Sequence, residues 1–172
     1  MFRPAAMSDI PALHALIESA YRGESAKAGW THEADLLGGQ RTDAEALGAI
    51  VADPKQTILV AEEADALVGC VGVEDKGAGR VYLGMLTVQP ARQAVGLGRA
   101  LLIEAERHAR ETLGARTMEM SVIALRTDLI AWYARRGYAD TGRRTPFPLD
   151  DPRYGLPKRR DLEFVVLAKT LS

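Results

Sequence analysis

The chain has 172 residues, 47% hydrophobic and 26% charged, which sets aside intrinsic disorder and fits one domain over residues 1–172. Its 22 Lys and Arg against 23 Asp and Glu give a formal net charge of -1, without the basic excess that nucleic acid or an anionic membrane surface demands. A single cysteine, Cys70, excludes an internal disulfide and a thiolate metal cage, so a reducing, cytoplasmic setting is expected.

Strand and helix patterns alternate along the chain. Met1 to Arg3 suits a short first strand, and the opening residues lack the apolar core of a signal peptide. No apolar run approaches the roughly 20 residues that span a bilayer. Ser8-Asp9 reads as a helix cap with Pro11 in the first turn, and Leu13, Leu16, Ile17 and Ala20 follow at helical spacing. Regularity is lost from Tyr21 to Gln40. Thr42-Asp43-Ala44-Glu45 resembles a capping box opening a second helix, which stops at Asp53-Pro54. A three-strand meander follows: Ile58–Ala61, a turn at Ala64-Asp65, Leu67–Val73, a turn at Gly77-Ala78-Gly79, then Arg80–Val88. Gly84, in the middle of the third strand, marks a bulge, a close approach by a ligand, or simple weakness in the strand.

The clearest helix spans Gly96 to Leu113. Leu101, Leu102, Ala105, Ala109 and Leu113 form one stripe opposite Glu104, Arg107, Arg110 and Glu111, and Gly114 ends the helix. Met118, Met120 and Val122 alternate with Glu119 and Ser121 in a strand. Asp128 caps a short helix through Arg136, Gly137 stops it, and Tyr138–Arg143 suits another strand. Thr145 to Arg160, with four prolines, reads as a loop before the final strand Leu162–Ala168. The order is an α/β (α+β) arrangement: a mixed, mostly antiparallel sheet of about seven strands flanked by about four helices.

Chemistry concentrates where the strand ending at Val88 passes through Gln89–Val95 into the long helix. A helix N-terminus presents unpaired N–H groups and a partial positive charge, and Gly96 and Gly98 let a ligand approach the backbone, so a phosphate or pyrophosphate is expected. A Walker loop fails because Gly98-Arg99-Ala100 replaces Gly-Lys-Ser/Thr. A dinucleotide fingerprint fails because Leu101 stands where its third glycine belongs. Gln93-x-x-Gly96-x-Gly98 satisfies a third pattern, Gln/Arg-x-x-Gly-x-Gly/Ala, which alone fits a plain tight turn equally well.

Val81–Val88, the Gln93–Gly98 loop and the helix Leu97–Leu113 resemble the acetyl-coenzyme A motif of the GNAT family of N-acetyltransferases. Leu129 to Tyr138, with Tyr133 ahead of Gly137-Tyr138, resembles that family's later motif, in the right order and spacing. The resemblance implies that Leu86, Thr87 and Val88 receive the pantetheine arm, the backbone of Leu86 and Val88 pairing with it like an added strand. It implies that the N–H groups of Gln93, Ala94, Val95, Gly96, Leu97, Gly98 and Arg99 cradle the pyrophosphate. Arg92 or Arg99 is placed to neutralise the ribose phosphate, or is a solvated surface arginine. Arg126 and Leu129 stand where family members tend to carry Asn and Ala, so Arg126 is expected to reach either cofactor or substrate.

Direct transfer from a thioester to an amine needs a deprotonated amine, a donor for the oxyanion and a proton for the departing thiolate. The resemblance makes Tyr133 the acid, whereas spacing alone favours a core tyrosine packed between Trp132 and Tyr138. The oxyanion donor is expected to be a backbone N–H near Leu86. Glu74, Asp75, Glu33 and Asp35 are candidate bases. His14, His32 and His108 lie too far apart for a metal site, and no metal is expected. Cys70, among valines, reads as packed core. Trp30, Glu33 and Asp35 are the candidate acceptor-binding residues, with the 145–157 loop covering the other side. The implied activity is acetyl transfer from acetyl-CoA to a small-molecule primary amine. A protein or peptide N-acetyltransferase and a noncatalytic coenzyme A sensor remain alternatives, and a homodimer is left open.

Overall fold

Two turns set the meander at the centre of the fold. Ala64 and Asp65 both take left-handed backbone angles (φ 49° and 63°), which joins β3 (Gln56–Glu63) to β4 (Ala66–Gly77) through a two-residue hairpin. Gly77, Ala78 and Gly79 likewise have positive φ and lead from β4 into β5 (Arg80–Val88). The computed structural model describes residues 1–21, 37–38, 42–93, 95–148, 156–158 and 161–172.

The edge strand β1 (Phe2–Pro4) pairs antiparallel with β3, Arg3 opposite Val60. Helix α1 (Ile10–Tyr21) begins where the pattern places it, but Asp9 does not cap it. Met7–Asp9 form a 3-10 turn, and the Asp9 carboxylate accepts from the Ala6 N–H at 2.7 Å and pairs with Arg3 at 2.8 Å. Helix α2 (Ala44–Ala52) is capped by Asp43, whose carboxylate accepts from the Ala46 N–H at 2.7 Å. The expected capping box does not close, because Glu45 sits one position too early to reach back.

Helix α3 (Leu97–Glu111) buries Leu101, Leu102, Ala105 and Ala109, as the stripe requires. Burying each leucine contributes on the order of 2 kcal/mol. The helix lies close over β4 because Gly69 has no side chain: a Cβ there would meet Leu101 Cδ1 at 2.7 Å and the Thr87 carbonyl at 2.9 Å. Gly114 (φ 64°) turns the chain so that the Ala115 N–H reaches the Ala109 carbonyl at 2.9 Å. β6 (Thr117–Ile123), helix α4 (Thr127–Ala134), β7 (Ala139–Pro146) and β9 (Glu163–Thr170) follow. α4 is preceded by Arg126, and Asp128 lies in its first turn rather than at its cap, where the helix dipole still favours a carboxylate. Two short strands fall where the sequence shows only loop: β2 (Leu37–Gly38) pairs with β8 (Leu156–Pro157).

The main sheet has seven strands in the order β1-β3-β4-β5-β6-β9-β7, antiparallel except for β5 against β6. Both faces are covered. α3 and α4 pack on one with Val71, Val73, Met118 and Met120, and α1 and α2 pack on the other with Ile58, Val60 and Cys70. Central strands buried on both faces read as continuous apolar runs, which is how β3 and β4 look in sequence. Among the described residues, no helix is long and apolar enough to cross a membrane.

Two features of β5 create space. Its parallel pairing with β6 covers only Arg80–Tyr82 against Thr117–Glu119. Its register with β4 also slips: β4 advances from Cys70 to Gly72 while β5 advances from Thr87 to Gly84, one residue more. This bulge, with Met85 in a left-handed conformation (φ 51°), lies beside Gly84, where a mid-strand glycine signals one.

Candidate active site

The sheet parts where β5 leaves β6, and a cavity of about 220 Å³ opens there. It gathers most of the residues expected to bind the acetyl donor. Leu86, Thr87 and Val88 come from β5, Gln93, Gly96, Gly98 and Arg99 from the loop and the start of α3, and Arg126 and Tyr133 from α4 and its cap. Val95 and Leu97 flank these without lining the cavity; Val95 is 69% exposed. Ala94 lies outside the described residues.

The loop and helix entrance follow from local geometry. Gly96 takes φ 89°, a left-handed angle that side chains resist, and caps α3 with no side chain of its own. The first bond inside the helix runs from the Ala100 N–H to the Gly96 carbonyl at 3.0 Å, so the amides of Leu97, Gly98 and Arg99 precede the helical ladder. The Gln93 amide group donates to the Val88 carbonyl at 3.3 Å and holds the loop against the strand end. Of the two arginines considered for a ribose phosphate, Arg99 lines the cavity, whereas Arg92 pairs with Glu63 on β3.

One face of α4 and the turn that follows it form the far wall. Leu129, Trp132, Tyr133 and Arg136 are spaced i, i+3, i+4 and i+7, and all four line the cavity. Tyr133 is buried, with Trp132 edge-on at 5.0 Å and Tyr138 at 5.8 Å between ring centroids. It therefore packs as a core tyrosine and lines the cavity as well. The Arg136 guanidinium lies 3.7 Å from the Trp132 ring centre and donates to the Trp132 carbonyl at 2.8 Å. Its Nε is buried with no hydrogen-bond partner among the described residues. Burial, then the charges of Arg135 and Arg99, press the guanidinium below its ordinary pKa. Arg99, Arg126 and Arg136 converge on one cavity with no carboxylate among its described lining residues, an arrangement suited to a multiply charged anion. Sequence reasoning missed Arg136 and Trp132, although their helical spacing from Leu129 could have found them.

A second, larger cavity of about 580 Å³ lies beside the bulge. Tyr82 to Met85 line it, and from Leu86 onward β5 lines the first cavity, so the strand passes from one to the other between Met85 and Leu86. Gly72, Glu74, Ser121 and the segment Thr145–Pro148 complete the walls. Of the candidate bases, Glu74 lines this cavity, with Lys76 at 3.0 Å. Asp75 instead accepts from the Gly77 N–H at 2.8 Å. Trp30, Glu33, Asp35 and His32 lie outside the described residues. His14 contacts the Thr42 carbonyl at 3.2 Å, and His108 is half-buried in α3, where desolvation lowers its pKa. Cys70 is buried and its thiol faces the Met85 carbonyl at 3.7 Å.

Among curated proteins, none matches the sequence at a significant level. Solved structures share the fold. The yncA protein of Salmonella typhimurium, determined with its cofactor acetyl-CoA, aligns over 100% of this chain and 94% of its own, with 20% identity and a TM-score of 0.72. A ribosomal-protein-alanine N-acetyltransferase of Brucella melitensis aligns over 99% of each chain at 22% identity and a TM-score of 0.72. A spermidine N-acetyltransferase variant from Vibrio cholerae aligns over 100% and 94% at 13% identity and a TM-score of 0.71. The sequence profile of the Acetyltransferase (GNAT) family matches residues 11–138, well over half the chain, and the protein therefore belongs to that family.

Proposed function

We propose that the protein transfers the acetyl group of acetyl-CoA to a primary amine of a small molecule. The observation that carries this is the passage of β5 from one cavity to the other between Met85 and Leu86. A thioester held along Leu86–Val88 lies at the border of the cavity through which an amine arrives.

The donor side fits the residues present. The amides of Leu97, Gly98 and Arg99, with Arg99 and Arg136, hold the diphosphate, and the unpartnered Nε of Arg136 supplies a buried donor for an anion. The backbone of Leu86 and Val88 pairs with the pantetheine amides. Arg126, at the rim beside Leu129, contacts the cofactor.

On the acceptor side, Glu74 takes the proton of the incoming ammonium, directly or through water. The neutral amine attacks the thioester carbonyl, and a backbone N–H of the bulge beside Leu86 stabilises the oxyanion. As the carbon–sulfur bond breaks, the attacking nitrogen sheds its second proton to solvent, and the Tyr133 hydroxyl donates its proton to the thiolate and recovers one from solvent. No covalent intermediate on the protein is needed, because both reactants are held together.

Incubation with acetyl-CoA and a panel of small primary amines and peptide N-termini, monitored by free-thiol release, tests this. Thiol release with a small amine, together with a raised melting temperature in acetyl-CoA, is expected. Release with peptides alone favours a protein acceptor. A melting shift with no release anywhere favours a coenzyme A-binding sensor.

A further inference from the structure

The second cavity sets apolar side chains beside polar ones, with Gln56, Thr57, Ser121 and Thr145 among its lining residues. Its floor is a pair of facing glycines, Gly72 opposite Gly84 in the β4–β5 ladder. A Cβ at Gly84 would find only Tyr82 Cε1, at 3.7 Å, so the space above the strand is open. On the far side Phe147 and Phe164 stand 5.3 Å apart, with Ile123 packed against Phe147 in the same apolar cluster. Ile50 of α2 lies along the cavity as well. Glu74 is the one acidic side chain among the described lining residues, and its partner Lys76 already offsets its charge.

We infer that the acceptor is a primary amine carried on a flat or branched apolar body, with no second cation. This rests on the acetyl-transfer activity proposed above and specifies its substrate class. An aromatic or branched body against Phe147, Phe164, Ile123 and Ile50 removes apolar surface from water on both sides. A polyamine or aminoglycoside brings further ammonium groups into the same walls. Among the described lining residues Glu74 alone is acidic and Lys76 already engages it, so a second ammonium group meets no free carboxylate there. The absent side chain at Gly84 leaves the width for the apolar body next to the bulge.

The test compares 2-phenylethylamine with spermidine as acceptors, in the unaltered protein and in Gly84→Leu. Phenylethylamine should be acetylated with a kcat/KM at least about tenfold above that of spermidine, a difference of about 1.4 kcal/mol. Gly84→Leu should raise the KM for phenylethylamine about tenfold or more. It should leave the melting shift caused by acetyl-CoA unchanged, because Gly84 lies outside the donor cavity. Should Gly84→Leu fail to fold, Gly84→Ala should show the same direction at smaller amplitude. Preference for spermidine, no acetylation of phenylethylamine by protein that binds acetyl-CoA, or an unchanged KM in a folded Gly84 variant overturns the inference alone. Absence of the acetyl-CoA melting shift overturns the proposed activity, and the inference with it.

Discussion

The Thr87 hydroxyl donates to the Met85 carbonyl, two residues back along β5, at 2.8 Å. The same carbonyl faces the Cys70 thiol at 3.7 Å, and Met85 holds the left-handed angle of the bulge. Thr87 is 1% exposed, so its hydroxyl has no water to turn to. Thr87→Val keeps the shape and removes the donor. It should cost about 1 kcal/mol of stability, which lowers the melting temperature of a chain this size by about 2–4 °C. If the bulge also aims the thioester, kcat for acetyl transfer falls while Thr87→Ser retains it. An unchanged melting curve and an unchanged kcat would show that the bulge stands without this bond.

In the proposed mechanism Tyr133 gives a proton to the leaving thiolate. Tyr133→Phe keeps the ring between Trp132 and Tyr138 and deletes only the hydroxyl. Loss of a general acid should lower kcat by about 10²-fold. The acetyl-CoA dissociation constant, read by calorimetry, should stay close to that of the unaltered protein. A purely structural tyrosine would instead lower the melting temperature and leave kcat intact.

Arg136 carries a charge that burial and two neighbouring arginines disfavour, a burden that an anionic ligand lifts. Arg136→Gln should weaken acetyl-CoA about tenfold, or about 1.4 kcal/mol, and flatten the salt dependence of binding. Arg136→Lys, which keeps the charge and loses the flat fork stacked on Trp132, should fall between. Equal affinity in all three proteins would remove Arg136 from the donor site.

How much of this was legible in sequence depended on whether a feature is local. The α3 stripe, both hairpin turns and the Gly96–Gly98 entrance are set by neighbours along the chain, and all are in place. The bulge is half legible, since Gly84 announces an irregularity while its direction depends on the register with β4. The second cavity was not legible as a site. It draws on α2, β3, β4, β5, β6, β9 and the end of β7 with the two residues after it, which only the sheet order brings together. Pairing of β2 with β8 failed for the same reason, because two-residue strands more than a hundred positions apart carry no periodicity. Arg136 carries no sequence signal that sets it apart from Arg135 beside it, although its spacing from Trp132 places it on the cavity face.

His108 should leave a mark on acid stability. Desolvation in α3, then the nearby Arg107 charge, holds its folded pKa below the ordinary value, and its Nε2 is buried without a partner among the described residues. The unfolded chain therefore takes up this proton at a higher pH than the folded chain does. The associated stability is complete above about pH 6.5 and is lost as the pH falls toward the depressed folded value. Asp9 and Glu104, held low by hydrogen bonds from Arg3 and Arg107, act in a lower window, below about pH 4.5. Melting temperatures at pH 7.5 and 5.5 check this. His108→Gln should lose less on acidification than the unaltered protein, and an equal loss would mean that His108 is not the responding group.

A crystal structure with acetyl-CoA bound tests most directly where the acetyl donor lies. The diphosphate should rest on the amides of Leu97, Gly98 and Arg99 with Arg136 against it. The thioester carbonyl should lie at the bulge, between Leu86 and the cavity floored by Gly72 and Gly84. A diphosphate bound away from the α3 entrance, or a thioester that does not reach the bulge, would contradict it.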